Sequence, residues 1–268
     1  MKKGIRAHDV RATGLLDISK VCMERKIEYL QLVLEKSVSG FENGKFSEGY
    51  AKKIKTQLGN SKIAILGSYI NPSNPDKTEL GVDLTKFKEK IKYASVLNPI
   101  AVGTETGIYI DGKTDSEEAY QYLLKNIKEI VSYAEEYSVN VAIEGVHCFV
   151  INTPQKLARL IGDVNSDNIK AIFDPVNYIN INNYREQDKI IEDMFTLLGN
   201  KITVIHAKDF NVEDGRIVPA VLGDGMLNYD LIFSKMKELN INIPIIFEEI
   251  NEEKAVKAFS RFEKLYNK

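Results

Sequence analysis

Short runs of apolar and β-branched residues alternate along this chain with longer stretches in which apolar residues recur three and four apart. Runs of the first kind read as buried strands and stretches of the second as amphipathic helices. Eight alternations can be counted. The strands they predict run from Gly4 to Ala7, Tyr29 to Leu34, Lys62 to Leu66, Pro99 to Val102, Asn140 to Ile143, Lys170 to Phe173, Thr203 to Ile205 and Ile243 to Phe247. Between them lie helical segments such as LLDISKVCMERK, LTKFKEKIKYASVL, AYQYLLKNIKEIVSYAEEY and the final EEKAVKAFSRFEKLY. Helix starts carry capping residues: Asp83 before Leu84, Asp115 and Ser116 before Glu117, and Thr153 with Pro154. The longest irregular stretches, Leu66 to Val82 and Asp209 to Asn228, each follow a strand. Such alternation produces parallel strands joined by crossover helices. The expected fold class is α/β, a single (β/α)8 TIM barrel over residues 1–268. An open doubly wound sheet would normally carry a glycine-rich turn after its first strand, where this chain reads AHDVRATG.

Composition narrows the partner. The chain has 268 residues, close to one eight-unit barrel and enough to bury a core without disulfides or a structural metal. Its formal charge is -2 with acidic and basic residues interspersed, so no basic face is available for nucleic acid or an anionic membrane. A small molecule fits better. Two cysteines, Cys22 and Cys148, and a start without an apolar signal core point to a reduced, cytoplasmic setting. No apolar run reaches the length of a bilayer span. Oligomeric state is not legible, which leaves a homo-oligomer open.

Candidate chemistry lies where apolar strands stop. In a barrel of this kind the active site forms at the C-terminal ends of the strands. VAIEG ends in Glu144, AIFDP in Asp174, TVIHA in His206 and IIFEE in Glu248, at successive gaps of 30, 32 and 42 residues. Each gap is near one strand-plus-helix unit, so the four side chains should converge from adjacent strands. Two glutamates, an aspartate and a histidine form a hard, oxygen-rich set suited to one divalent ion, manganese, magnesium, cobalt or zinc. A lone glutamate at a strand end is usually a solvated loop residue. The histidine says more, because only His8, His147 and His206 occur in the chain.

The strings IEGVH, FDPVN, HAKD, LGDG and FEEI, with AHD near the start and GTETG at Gly103 to Gly107, resemble in order and spacing the sugar phosphate isomerases/epimerases of the xylose isomerase-like TIM barrel superfamily. The resemblance covers nearly the whole chain. It implies that Glu144, Asp174, His206 and Glu248 bind one divalent ion, manganese first, and that Glu144 and Glu248 also move protons on a carbohydrate. One position departs from the pattern. Epimerases of the family commonly place a substrate-contacting histidine three residues after the metal-binding aspartate, and here that residue is Asn177. An amide hydrogen-bonds a sugar hydroxyl but does not act as an acid.

A proton next to a carbonyl is too weakly acidic for a carboxylate unless the developing enediolate is stabilised, which a divalent ion on the carbonyl and hydroxyl oxygens would do. One of Glu144 and Glu248 would then remove the proton, and either would return it. Lys208 follows His206 by two positions and should face the same side, to hold an oxyanion or stand at the rim. Asp209 would orient the histidine or cap a turn. Arg216, in the long loop after the seventh strand, is a candidate for holding an anionic group, and Gly223 to Gly225 reads as a tight turn. His8, Gln31 and Glu105 end the first, second and fourth strands and could bond sugar hydroxyls. His147 and Cys148 read as lining or core, with His147 a further candidate for substrate contact. Rival functions are dehydration of a polyol or inosose, phosphodiester cleavage of the AP-endonuclease type, and ligand binding without turnover. The second, in this fold, uses a three-zinc cluster that draws on more histidines than this chain has, and it calls for a basic rim.

Overall fold

The computed structural model of the chain describes residues 1–41 and 45–267. Its strands are β1 (Lys2–Arg6), β2 (Tyr29–Leu32), β3 (Lys62–Gly67), β4 (Ala101–Glu105), β5 (Val141–Glu144), β6 (Ile169–Phe173), β7 (Ile202–Ala207), β8 (Asp209–Glu213), β9 (Arg216–Ala220) and β10 (Pro244–Phe247). Its helices are α1 (Leu15–Glu24), α2 (Leu34–Ser37), α3 (Glu48–Leu58), α4 (Lys77–Leu97), α5 (Glu117–Glu136), α6 (Pro154–Val164), α7 (Gln187–Leu198), α8 (Tyr229–Glu238) and α9 (Glu252–Tyr266). Eight strands close into a barrel in the order β1-β10-β7-β6-β5-β4-β3-β2, and all of these pairings are parallel. This is the (β/α)8 fold. All eight expected strands are present, displaced by at most about two residues at most ends.

Two apolar layers hold it together. The larger joins outward-facing strand residues such as Val141, Ile143, Phe173 and Phe247 to the inner faces of the helices. The smaller contains strand residues only, among them Ala142, Ile172, Val204 and Ile246, and it fills the barrel. Because successive side chains in a strand point to opposite faces, the residues two positions further on also point inward. Those residues are Glu144, Asp174, His206 and Glu248. The same step takes Gly4 to Arg6, Tyr29 to Gln31 and Gly103 to Glu105. An apolar plug thus ends in a layer of polar groups at the C-terminal mouth.

Two local expectations change. Asp83 does not cap a helix; α4 starts earlier, at Asp76, whose carboxylate accepts from Thr78 N and Glu79 N. The KTELGVD segment carries little apolar period, which hid its helicity, and Asp83 instead accepts from Asn71 N (3.2 Å). Asp209 to Asn228 is not wholly irregular either: β8 and β9 form an antiparallel hairpin outside the barrel. Ser116 and Thr153 cap α5 and α6 as their positions suggested.

Phe247 ties the last strand to α9 through Phe259 (centroids 4.0 Å apart) and Phe262 (5.0 Å). Phe247→Ala should lower the unfolding free energy by about 3–5 kcal/mol, the usual result of emptying a buried aromatic site. Urea denaturation checks this, and a loss below about 1 kcal/mol would show that α9 is held elsewhere.

Candidate metal centre and cavity

Glu144, Asp174 and His206 each offer a ligand atom, and the three atoms lie within 4.8 Å of one another. All are buried, with exposures of 2%, 0% and 1%. His206 Nδ1 lies 3.2 Å from Glu144 Oε1 and 3.4 Å from Glu248 Oε1, so one edge of the imidazole meets both glutamates. Glu248 approaches the trio from β10, beside Lys208, whose Nζ is 2.9 Å from Asp174 Oδ2 and 3.6 Å from Glu248 Oε2. Three carboxylates and an imidazole converging in a buried pocket fit a divalent ion that prefers oxygen ligands with one nitrogen. His206 has its Nδ1 on the carboxylate side, while its Nε2 meets no hydrogen-bonding partner among the described residues.

The charges of this layer are tightly balanced. Burial alone would push the Glu248 carboxyl up, but His206, Lys208 and Arg6 overturn that and hold it below its usual value. Burial raises Asp174 to about 6, with Lys208 opposing. It also raises Glu105 to about 7, helped by Glu144. For His206 burial acts downward, yet Glu248 and Glu144 lift the imidazole to about 9. Lys208 likewise overcomes burial through Asp174 and Glu248 and stays a firmly protonated ammonium.

Asn177 lies in a tight turn after β6 and joins two of these acids. Its backbone N–H donates to Asp174 Oδ1 (3.1 Å) and its Nδ2 to Glu144 Oε1 (2.7 Å). The Tyr178 phenol next to it is fully buried and passes so close to Gly145 that a Cβ there would sit 2.2 Å from its oxygen. Only glycine fits that strand end. Asp209 forms a turn anchor: its carboxylate accepts from the backbone N–H of Phe210, Gly223, Gly225 and Leu227. This holds the Gly223 to Gly225 turn against the end of β7.

A cavity of about 260 Å³ opens over the layer. Glu144, Glu248, Lys208, Asn177, Glu105, Gln31 and His8 all line it. Arg216 does not; it is exposed at the hairpin tip, in register with Glu213. His147 and Cys148, read as lining or core, are instead both exposed, because the chain leaves β5 at Gly145 and turns outward, with His147 N donating to Asn177 O (2.7 Å). Arg6, Lys36 and Tyr69 also line the cavity and were missed. Arg6 could have been found, since it stands at the end of β1 in the same inward phase as the acids. Its Nε donates to Asp9 Oδ2 (2.7 Å) and its NH1 lies 3.9 Å from Glu248 Oε2. Tyr69, which accepts from Gln31 Nε2 at 2.5 Å, lies in a loop with no such phase.

A family model described as the xylose isomerase-like TIM barrel matches residues 26–265. The chain belongs to this family. An uncharacterised protein of Methanocaldococcus jannaschii is 28% identical over 135 residues, which is 49% of this chain and 44% of that relative, so the match spans less than half of the relative's length. Among solved structures, a D-tagatose 3-epimerase-like protein superposes with a TM-score of 0.78 at 19% identity, covering 100% of this chain and 98% of that one. The IolI protein with a bound zinc atom gives 0.77 at 18% identity, with 100% and 98% covered. A probable 3-DHS dehydratase from Bacillus anthracis gives 0.74 at 16%, with 98% and 99% covered. At these identities the likenesses establish the shared barrel. Among the described residues no helix is long and apolar enough to cross a membrane.

The charge balance sets a pH dependence for protein stripped of divalent ions. The His206 imidazole, raised from 6.5 to about 9, contributes stability that is complete below 6.5 and is lost as pH rises through 9. Asp174 and Glu105, raised to about 6 and about 7, resist ionisation in the folded chain and so act in the same direction over lower pH. Glu248 acts oppositely, but below its usual value near 4.5 and outside this window. The melting temperature in chelator should therefore fall from pH 6 to pH 9, and added manganese should flatten the curve, because a bound ion favours neutral imidazole and charged carboxylates. A flat curve in chelator would contradict this balance.

Proposed function

We propose that the protein is a divalent-metal-dependent isomerase or epimerase of a sugar or sugar phosphate, acting on the proton next to a carbonyl. The observation that carries this reading is the convergence of two glutamates on one imidazole nitrogen, with Glu144 Oε1 and Glu248 Oε1 at 3.2 and 3.4 Å from His206 Nδ1, both carboxylates lining one cavity.

A divalent ion held by Glu144, Asp174, His206 and Glu248 would supply positive charge at the substrate carbonyl, which acidifies the neighbouring C–H bond. Manganese heads the candidates, with magnesium, cobalt and zinc behind. The rest of the chemistry belongs to side chains. One glutamate takes the proton, the C–H electron pair moves into the carbonyl, and a carboxylic acid returns a proton. Return to the opposite face of the same carbon gives the epimer; return to the former carbonyl carbon, with the neighbouring hydroxyl passing its proton to the former carbonyl oxygen and becoming the new carbonyl, gives the aldose–ketose isomer. Asn177 fixes the oxygen of Glu144 that it bonds. Lys208, protonated throughout, presents an ammonium to negative charge developing on the substrate oxygens. His8, Gln31 and Glu105 face the same cavity, where they can bond hydroxyls.

Dehydration of a keto polyol shares the first step and then needs an acid for the departing hydroxyl. Glu105, in register with Glu144 and held up to about 7, is the observation that favours this second reading. The two are separated by one NMR experiment in deuterated water with manganese, over keto sugars, their phosphates and inososes. Signal lost at one carbon without loss of water supports isomerisation or epimerisation, whereas loss of water supports dehydration.

Glu144→Gln and Glu248→Gln should each lower proton exchange by about 10²-fold or more, the usual worth of a positioned acid–base group. Asp174→Ala should release the metal, read by elemental analysis of purified protein. Exchange retained in either glutamine variant would overturn the assignment of that residue.

A further inference from the structure

Among the described residues, seven other than glycine take a positive φ. Five of them, Lys26, Asn98, Ser138, Asn165 and Asn240, follow helices, where a left-handed residue is an ordinary way to stop. Asp214 turns the hairpin between β8 and β9. The seventh is Glu249, at φ +57°, directly after Glu248 at the mouth end of β10. Its side chain is exposed, so packing of that side chain does not hold the conformation. A sparsely populated backbone conformation persists only where its surroundings impose it, and such positions cluster at functional sites.

One carboxylate oxygen supplies those surroundings. Asp9 Oδ2, in the turn after β1, accepts from Glu249 N–H (3.1 Å) and from Arg6 Nε (2.7 Å). Glu248 N–H still donates to Ala207 O (3.1 Å), so the chain leaves the barrel only at Glu249. Asp9 thus grips both the peptide that follows Glu248 and the guanidinium beside its carboxylate. The two carboxylate oxygens of Glu248 face different groups. Oε1 lies 3.4 Å from His206 Nδ1, while Oε2 lies 3.6 Å from Lys208 Nζ and 3.9 Å from Arg6 NH1. A second carboxylate ties the turn after β1 to the start of α9, since Glu252 Oε2 accepts from Arg11 N–H (3.0 Å). That bond passes through neither Glu249 nor Arg6.

We propose that Asp9 is a positioning residue for Glu248. It holds the left-handed turn after β10 and the Arg6 guanidinium together, which keeps Glu248 Oε1 at His206 and Oε2 at the two cations. The inference rests on the isomerase or epimerase reading for the use that substrate makes of Glu248, whereas its effect on metal binding does not depend on that reaction.

Manganese titrated calorimetrically into chelator-stripped protein is the first test. Asp9→Ala should weaken binding about tenfold, the lower end of what the outer partners of metal ligands are worth. Asp9→Asn keeps one carbonyl oxygen to accept both bonds but loses the charge, so it should weaken binding a few-fold, and it carries the test if the alanine variant does not fold. Glu252→Ala and Glu252→Gln cut or weaken the neighbouring tie; they should lower the melting temperature and leave manganese affinity within about twofold of wild type. The visible absorption of cobalt-loaded protein, which follows ligand geometry, should change in the Asp9 variants and not in the Glu252 variants. In the deuterium exchange assay at saturating manganese, Asp9→Ala should lower kcat with KM near wild type. Wild-type affinity and an unchanged cobalt spectrum in the Asp9 variants overturn the proposal, as does an equal loss in the Glu252 variants, which would make both carboxylates simple ties between turns. Exchange in wild type alongside either of those results leaves the reaction standing. Weakened metal binding confined to the Asp9 variants, with no exchange on any ketose in wild type, supports the positioning role and overturns the reaction. No manganese binding in wild type overturns both.

Discussion

Glu144, Asp174 and Glu248 are held almost wholly out of water at the top of an apolar plug, and their mutual repulsion is the constraint that the surrounding residues answer. Two like charges about 4 Å apart repel by roughly 4 kcal/mol at the effective dielectric of a protein, a large fraction of the ~5–15 kcal/mol by which a domain is stable. Positive charge must come from close by. His206 supplies it from β7, Lys208 from just beyond the end of that strand and Arg6 from β1. A divalent ion among the same carboxylates would serve the same end.

Barrel closure makes this compensation possible. Arg6 reaches Glu248 only because β1 pairs with β10, which lie at opposite ends of the chain. The contact is reinforced by Asp9, which accepts from Arg6 and from the backbone N–H of Glu249. On the other side Asn177 couples Asp174 to Glu144 through one short turn. The two glutamates share His206 but otherwise sit in unlike surroundings, Glu248 beside Lys208 and Arg6 and Glu144 under the Asn177 amide. Such a difference in surroundings is what sets two residues of one type apart in their chemistry.

Around this rigid layer the mouth is uneven. Asp209 gathers backbone N–H groups and stiffens the β7 side, while the β1 and β2 side opens into the cavity.

The strands were legible in the sequence because apolar runs of the right length alternate with helical periods, and hydrophobic burial obliges such runs to face a core. The inward phase of Glu144, Asp174, His206 and Glu248 was legible too, since side chains in a strand alternate whatever the strand packs against. Arg6 obeys the same rule and was overlooked. The hairpin of β8 and β9 and the early start of α4 escaped because their residues are half exposed and carry no clear apolar period. Only the tertiary structure decided that Arg6 meets Glu248, that Tyr69 meets Gln31, and that His147 and Arg216 stand away from the cavity. Each of these depends on loops from strands distant in sequence meeting at the barrel mouth. Periodicity along one chain reports which face a residue takes, whereas the partner across a closed ring is set by packing in three dimensions.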